Sequence, residues 1–214
     1  TLGGTWSSST PSVAMIGTSS GIVAAVAGGT STIVYTLPTG CKVDTVITVS
    51  TFPVAGTITG AGTVCSGATS ALALTGGSGS GVWNSSDTAI ATVSGSTGLT
   101  MTVTGVASGA ATITYTVTNV CGTAKAMKFV TVNATPSAGV ITGADSVCVG
   151  GIVVLANTAT GGVWSIAGVN AAVTSTGTLS GLMAGLDTVY YTVTENGCTA
   201  RALLPVRVLP ITEC

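Results

Sequence analysis

Apolar and polar residues alternate along this chain over short runs that are separated by glycine-rich turns. In residues 99–103 and 111–117, every second side chain is apolar or tyrosine and each one between them is threonine. A period of two places alternate side chains on opposite faces of a strand. The pattern therefore predicts half-buried antiparallel strands, and it supports no helix beyond a single turn.

Three segments repeat one order of landmarks: a glycine-rich turn, a tryptophan, two strand-like runs, a tyrosine and a cysteine. These landmarks are Trp6, Tyr35 and Cys41, then Trp83, Tyr115 and Cys121, then Trp164, Tyr191 and Cys198. The tryptophans recur at intervals of about 80 residues, which predicts tandem domains rather than a solenoid of shorter repeats. Because the six aromatic residues occupy equivalent positions, we expect them to lie in the domain cores.

Two similar joints separate the repeats, at residues 49–60 and 132–143. In each joint a strand ends, Pro53 or Pro136 prevents further ladder pairing, and a new strand begins at Ile58 or Ile141. We therefore predict domains at residues 1–52, 53–135 and 136–214.

Each complete repeat has about seven short strands, which is typical of an immunoglobulin-like sandwich. In the second repeat we predict strands near residues 57–59, 71–74, 82–84, 90–93, 99–106, 111–118 and 127–132. Trp6 follows only five residues, so the first domain lacks the opening strands that precede Trp83 and Trp164. The predicted fold is all-β, with tandem immunoglobulin-like β-sandwich domains of which the first is incomplete and has an exposed edge.

Charged residues make up 5% of the chain, against about 25% in ordinary soluble domains. With a net charge of -1 there is no basic patch, so nucleic acid and anionic membrane surfaces are not expected partners. Gly, Thr and Ser interrupt every apolar run before the roughly 18 residues that a membrane span needs. A surface of small, uncharged residues tends to associate, so we expect a protein that assembles with others or is shielded.

The residue types required for catalysis are scarce. The chain has no histidine, and its six carboxylates are scattered. We therefore predict that the protein is not an enzyme, and we expect no cofactor and no dedicated metal site.

The cysteines match between the repeats, with Cys65 and Cys148 before the tryptophans and Cys121 and Cys198 after the tyrosines. The matching suggests intradomain disulfides from Cys65 to Cys121 and from Cys148 to Cys198, as in many immunoglobulin-like domains. A chain-entropy estimate gives each about 4 kcal/mol of stabilisation. The alternative, buried free thiols, would indicate a reducing compartment.

Cys41 has no matching partner upstream, and Cys214 is the last residue. One hypothesis is an interchain disulfide from Cys214 of one copy to Cys41 of the next, with residues 206–214 completing the first domain in trans by strand addition. Such a head-to-tail contact generates a fibre. The alternative is that the chain is a fragment of a longer tandem array.

Residues 83–94 and 103–114 closely resemble the bacterial immunoglobulin-like (group 2) repeat of invasin-type and intimin-type adhesins and other surface proteins. Residues 6–15 echo the same motif, and the Val-Cys-x-Gly segments at Val64 and Val147 resemble repeats of very long adhesins of Bacteroidota. The resemblance implies an extracellular or cell-surface location. It implies no shared catalytic residues.

All four aspartates precede a threonine or serine and then a small apolar residue. This arrangement resembles the acceptor signal for O-glycosylation in Bacteroidota and marks Thr45, Thr88, Ser146 and Thr188 as candidate sites. Glycans would supply the hydrophilic cover that charges do not. The alternative is that aspartate before threonine marks a turn.

Two functions agree with these observations. The repeats, the nearly uncharged surface, the terminal cysteine and the incomplete first domain favour a structural subunit or stalk segment of an extracellular filament, with further copies of itself as partners. The resemblance also allows an adhesin module that binds a glycan or a host protein through its loops.

Overall fold

The computed structural model describes residues 3–77, 80–95 and 98–214. These residues form strands β1 to β22 and one short 3-10 turn, η1, at Ile211–Glu213. Each sheet takes its strands from one repeat, and none of the sheets spans two repeats. The chain is therefore an all-β tandem array, as the alternating pattern predicts.

The second domain is a complete two-layer sandwich. Its strands are β6 (Thr57–Gly60), β7 (Thr63–Cys65), β8 (Thr69–Thr75), β9 (Val82–Ser85), β10 (Ala91–Ser94), β11 (Thr100–Gly105), β12 (Gly109–Asn119) and β13 (Gly122–Asn133). One sheet has the order β10-β11-β8-β6 and the other has the order β7-β13-β12-β9. This is the strand order of an immunoglobulin-like sandwich. β7 runs parallel to β13, and the other pairs are antiparallel.

The core of the second domain follows from the alternation along β11 and β12. Val103, Ile113 and Tyr115 are fully buried, while the threonines between them face outward. The ring of Tyr115 lies 4.9 Å from that of Trp83, and its hydroxyl accepts a 2.7 Å hydrogen bond from the backbone N–H of Gly81. This bond fixes the glycine-rich turn before β9 to the centre of β12.

The third domain repeats this arrangement. Its strands are β14 (Ile141–Thr142), β15 (Ser146–Cys148), β16 (Ile152–Val154), β17 (Ala156–Asn157), β18 (Val163–Ala167), β19 (Ala171–Val173), β20 (Thr178–Gly181), β21 (Gly185–Glu195) and β22 (Cys198–Leu209). They form sheets of order β15-β22-β21-β18, β16-β20-β19 and β14-β17. Tyr191 lies 4.8 Å from Trp164 and accepts a hydrogen bond from Gly162, as Tyr115 does from Gly81.

The first domain contains part of this sandwich. Its strands are β1 (Thr5–Ser8), β2 (Ala14–Ile16), β3 (Val23–Ala25), β4 (Gly29–Thr36) and β5 (Lys42–Val49), in a sheet of order β1-β4-β5 and a hairpin β2-β3. Trp6 and Tyr35 again form a ring pair, at 4.7 Å, and both are half-buried. Within its described residues, this domain has no counterpart of β6, β7 and β8. The prediction of tandem immunoglobulin-like sandwiches with an incomplete first domain is confirmed.

The seven strands predicted in the second domain are all present, although β13 begins five residues before its predicted start at 127. β13 is longer because its ladder with β12 continues to the pair Asn119 and Gly122. The prediction missed β7 altogether. Three residues are too few to show a period, and β7 forms by pairing with residues 131–133, far along the chain.

Candidate assembly interface

The joint between the second and third domains is built from the end of one strand and the tip of the next hairpin. Asn133 ends β13 and pairs with Cys65 across the parallel ladder. Its side-chain amide donates a 2.8 Å hydrogen bond to the carbonyl oxygen of Asn196. Asn196 and Gly197 both have positive φ and form the two-residue turn between β21 and β22, a turn type that favours these residues. The turn therefore presents Cys198 directly to the end of the second domain.

Cys65 is bonded to Cys198 across this joint, with a Cα–Cα distance of 5.7 Å. The predicted bond from Cys65 to Cys121 is wrong, because the two residues lie at opposite ends of β13. Cys65 lies beside the last residue of this 12-residue strand, and Cys121 directly precedes its first. At about 3.4 Å per residue the strand is about 40 Å long, whereas a disulfide requires a Cα–Cα distance below about 7 Å.

The second disulfide joins Cys148 to Cys214, with a Cα–Cα distance of 6.1 Å. The predicted bond from Cys148 to Cys198 is wrong for the same reason. Cys148 pairs with Leu209 at the end of β22, and Cys198 is the first residue of that strand. After Leu209, η1 turns the chain back so that Cys214 reaches Cys148.

Cys41 and Cys121 are free thiols. The predicted interchain bond from Cys41 to Cys214 is wrong in this structure, because Cys214 is bonded to Cys148 of the same chain. The predicted donation of residues 206–214 to another copy is also contradicted. Val206 and Val208 are buried in the core of their own domain.

The first domain leaves core-facing side chains open to solvent. The strand registers of the first and second domains can be matched, because Gly29 pairs with Val49 in the first as Gly109 pairs with Val132 in the second. The counterparts of Val43, Ile47 and Val49 are thus Ala126, Val130 and Val132, which are all buried. In the first domain, Val43 is 65% exposed and the other two are half-buried.

The hairpin β2-β3 is open in the same way. Ala14 pairs with Ala25 as Ala91 pairs with Gly105, so Val23 corresponds to Val103. Val103 pairs with Ser70 of the neighbouring β8 and is 0% exposed, whereas Val23 is 42% exposed. We call the region lined by Val23, Val43, Ile47 and Val49 the open groove. A cavity of about 200 Å³ beside Tyr35, Cys41 and Val43 continues it.

The four candidate glycosylation residues lie in different settings. Thr45 on β5 and Thr88 in the turn after β9 are exposed, and Ser146 on β15 and Thr188 on β21 are half-buried. The carboxylate of Asp87 accepts a hydrogen bond from the backbone N–H of Ala89. At this position the aspartate therefore marks a local turn, which is the alternative meaning of the motif. Glycosylation at these four residues stays a prediction.

Asp187 has a structural position that the sequence reasoning missed. It is 5% exposed, and its carboxylate accepts hydrogen bonds from the backbone N–H groups of Asn170 and Ala171 and from the side-chain amide of Asn170. These three bonds attach the turn between β18 and β19 to β21. The first and second domains carry Ser31 and Ala111 at this register position, so the repeat pattern contains no signal for it.

In the described part of the chain, no group of three or more His, Cys, Asp or Glu side chains is placed to hold a metal ion. The same residues include no helix that is long and apolar enough to cross a membrane.

The sequence and the structure are similar to known immunoglobulin-like proteins. The family model for the bacterial Ig-like domain (group 2) matches residues 68–130, which contain β8 to β12 and most of β13. The match lies within the second domain and confirms the resemblance seen in its sequence. No curated protein sequence matches the chain at a significant level.

Several solved structures align with most of this chain. Domains 4-9 of the surface layer protein SbsC align with 99% of this chain at 21% identity and a TM-score of 0.30. A SusE-like surface located polysaccharide binding protein of Bacteroides thetaiotaomicron aligns with 97% of it at 13% identity and a TM-score of 0.36, covering 43% of that protein's chain. An I-band fragment of titin aligns with 97% at 12% identity and a TM-score of 0.39, covering 87% of the fragment.

The chain spans about two fifths of the length of the surface layer structure, since the alignment covers 39% of it. All three TM-scores are below 0.5, so the fold assignment rests on the strand order and on the family match.

Proposed function

We propose that the chain is a structural segment of an extracellular or cell-surface fibre, in which successive immunoglobulin-like domains are bonded to one another. The observation that carries this proposal is the disulfide from Cys65 in the second domain to Cys198 in the third. An intradomain disulfide stabilises one sandwich. A disulfide across a joint also keeps two sandwiches in contact under load.

The location follows from the chemistry of the bonds. Disulfides persist in oxidising surroundings outside the cell and are rare in the cytosol. The match to a bacterial immunoglobulin-like domain agrees with this location. The very low charge of the chain also supports assembly with further copies of itself, because few like charges oppose contact between neighbouring surfaces. The proposal assigns no catalytic step to the protein.

Immunogold electron microscopy of the native cells tests this function. Antibodies against the 214-residue chain are expected to label fibres outside the cell, and preimmune serum is the control. Labelling confined to the cytoplasm would overturn the location. Labelling of a smooth cell surface without fibres would overturn the proposal that the chain belongs to a fibre, and it would indicate a surface protein of another kind.

The second candidate function, an adhesin module, is favoured by one feature. Phe129 and Met127 lie on the outward face of β13 and are 78% and 67% exposed. Exposed aromatic rings on a rigid sheet are suited to stacking against a sugar or a partner protein. Tyr190 is less available, because the guanidinium of Arg201 lies 4.4 Å above its ring.

A glycan array probed with the labelled chain tests the adhesin. Binding that is lost in Phe129→Ser and kept in a Tyr190→Ser control would assign the site to the face of β13. Absence of binding by the unmodified chain, or equal binding by both variants, would remove this face as a glycan site.

A further inference from the structure

The open groove has a defined occupant in the other two domains. In the second domain, β7 pairs in parallel with the end of β13, joining Val64 to Val132 and Cys65 to Asn133. In the third, β15 pairs in the same way with β22. Both occupying strands have the sequence Thr/Ser-Val-Cys, and their valines, Val64 and Val147, are buried.

The same ladder position is vacant along β5 within the described residues. By register, Thr48, Val49 and Ser50 correspond to Thr131, Val132 and Asn133. Thr48 and Val49 end the outer strand of the sheet β1-β4-β5, and Ser50 follows it directly, so one side of this strand's backbone has no strand partner among the described residues. An added strand of the β7 type would place its cysteine beside Ser50.

Cys121 lies where that cysteine would need a partner. Its thiol donates a hydrogen bond to the carbonyl oxygen of Ser50 at 3.3 Å. At the next joint, the sulfur of Cys198 lies 3.9 Å from the carbonyl oxygen of Asn133, which is the counterpart of Ser50. The side-chain amide of Asn119 also donates a 2.7 Å hydrogen bond to the carbonyl oxygen of Thr51, so a side-chain amide bonds the hairpin tip to the preceding segment at both joints, although the donor lies on opposite sides of the two joints. The two joints thus hold their hairpin cysteines in the same relation to the preceding strand.

The chain itself has no spare strand of this kind in its described residues. Its two Val-Cys-x-Gly segments are β7 and β15, and Cys65 and Cys148 are both bonded. A second copy would have to open one of its own domains to fill the groove. The occupant therefore comes from outside these 214 residues.

We propose that the open groove receives the opening segment of an immunoglobulin-like repeat that carries the Thr/Ser-Val-Cys-x-Gly motif, and that the cysteine of this segment bonds to Cys121. The incoming strand runs parallel to β5, with its valine opposite Val49 and its cysteine opposite Ser50. The strands that follow it cover Val23 and Val43, as β8 covers Val103. This inference rests on the proposed function, because it specifies the contact by which such domains are joined.

The covalent step needs an oxidant. The thiol of Cys121 and the thiol of the incoming cysteine lose two protons and two electrons and form one S–S bond. A small-molecule disulfide, such as oxidised glutathione, takes up these protons and electrons and becomes two thiols.

A peptide with the sequence of residues 53–77 tests the proposal, because it contains the strands that the first domain lacks. It is mixed with the 214-residue chain in a glutathione redox buffer, and the products are mapped by mass spectrometry without reduction. We expect one peptide per chain, bonded through Cys121, and new protection of β3 and β5 from hydrogen exchange. A peptide with Val64→Asp should form the adduct slower by a factor on the order of ten or more, because it lacks the docking that raises the effective concentration of its thiol.

Variants of the chain separate docking from bonding. Cys121→Ser should lose the adduct and keep the protection of β3 and β5 at higher peptide concentration. Cys41→Ser is the matched control and should behave as the unmodified chain.

Four outcomes would overturn the proposal. They are an adduct on Cys41, an adduct on Cys198 through displacement of β7, disulfide dimers of the chain that exclude the peptide, and no adduct with no added protection. Each can occur while the antibodies still label extracellular fibres. A failure of the groove is therefore distinguishable from a failure of the proposed function.

Discussion

The disulfide across the second joint determines how far the molecule can be stretched. When the oxidised chain is held by its two ends, the shortest covalent path runs from Thr1 to Cys65, crosses to Cys198 and continues to Cys214. The bridge bypasses a sequence separation of 133 residues. At about 3.3 to 3.6 Å per extended residue, these residues hold about 440 to 480 Å of contour length that force cannot release.

Single-molecule force spectroscopy measures this length directly. Handles are attached to both ends by chemistry that does not use thiols, and the contour length gained on complete unfolding is recorded. The paired substitution Cys65→Ser with Cys198→Ser should add about 220 to 240 Å to that of the unmodified chain, because the shortest path then runs to Cys148 and crosses the remaining disulfide to Cys214. Reduction of the unmodified chain breaks both disulfides and should add about 440 to 480 Å.

The matched control removes the other disulfide. Cys148→Ser with Cys214→Ser opens a loop that lies off the shortest path, so the released length should not change. The pairing inferred from repeat positions gives a different result. With Cys148 bonded to Cys198, this control would release about 170 Å, and such a gain would refute the reasoning.

Three substitutions test the packing of single domains by chemical denaturation. Tyr115→Phe removes the acceptor of the buried Gly81 N–H and should cost about 1–3 kcal/mol, whereas Tyr190→Phe should stay within about 0.5 kcal/mol of the unmodified protein; equal effects would contradict the role of the hydroxyl. Asp187→Ala leaves three donors without their acceptor and should cost at least about 2 kcal/mol, and a loss below 0.5 kcal/mol would show that the turn is held by other contacts. Gly177→Ala should lower the free energy of unfolding more than Gly150→Ala does, because both glycines have positive φ but only a Cβ at 177 would lie 2.6 Å from a backbone oxygen. A larger loss in Gly150→Ala would contradict this.

The long strands and the cores were predictable because burial imposes the alternation that the sequence shows. Ile113 and Tyr115 face the core because residues two apart share a face, and this is a local property. The incomplete first domain was predictable as well, since Trp6 marks the register against Trp83.

The disulfide pairing was not predictable from matched positions. Repeat matching shows that Cys65 and Cys148 are equivalent, but the partner depends on the direction in which β7 pairs. A strand antiparallel to β13 at its beginning would have brought Cys65 toward Cys121. β7 instead runs parallel at the end of β13, through contacts with residues almost seventy positions away. A three-residue strand carries no local signal for that choice.

The two disulfide loops overlap, since one spans Cys65 to Cys198 and the other spans Cys148 to Cys214. Every peptide bond from Cys65 to Cys214 therefore lies inside at least one closed covalent ring. A single proteolytic nick in that stretch leaves the two pieces attached to each other, whereas a nick before Cys65 divides the molecule. Exposed loops of the second and third domains are thus protected against the consequence of cleavage, even where they are open to the protease itself.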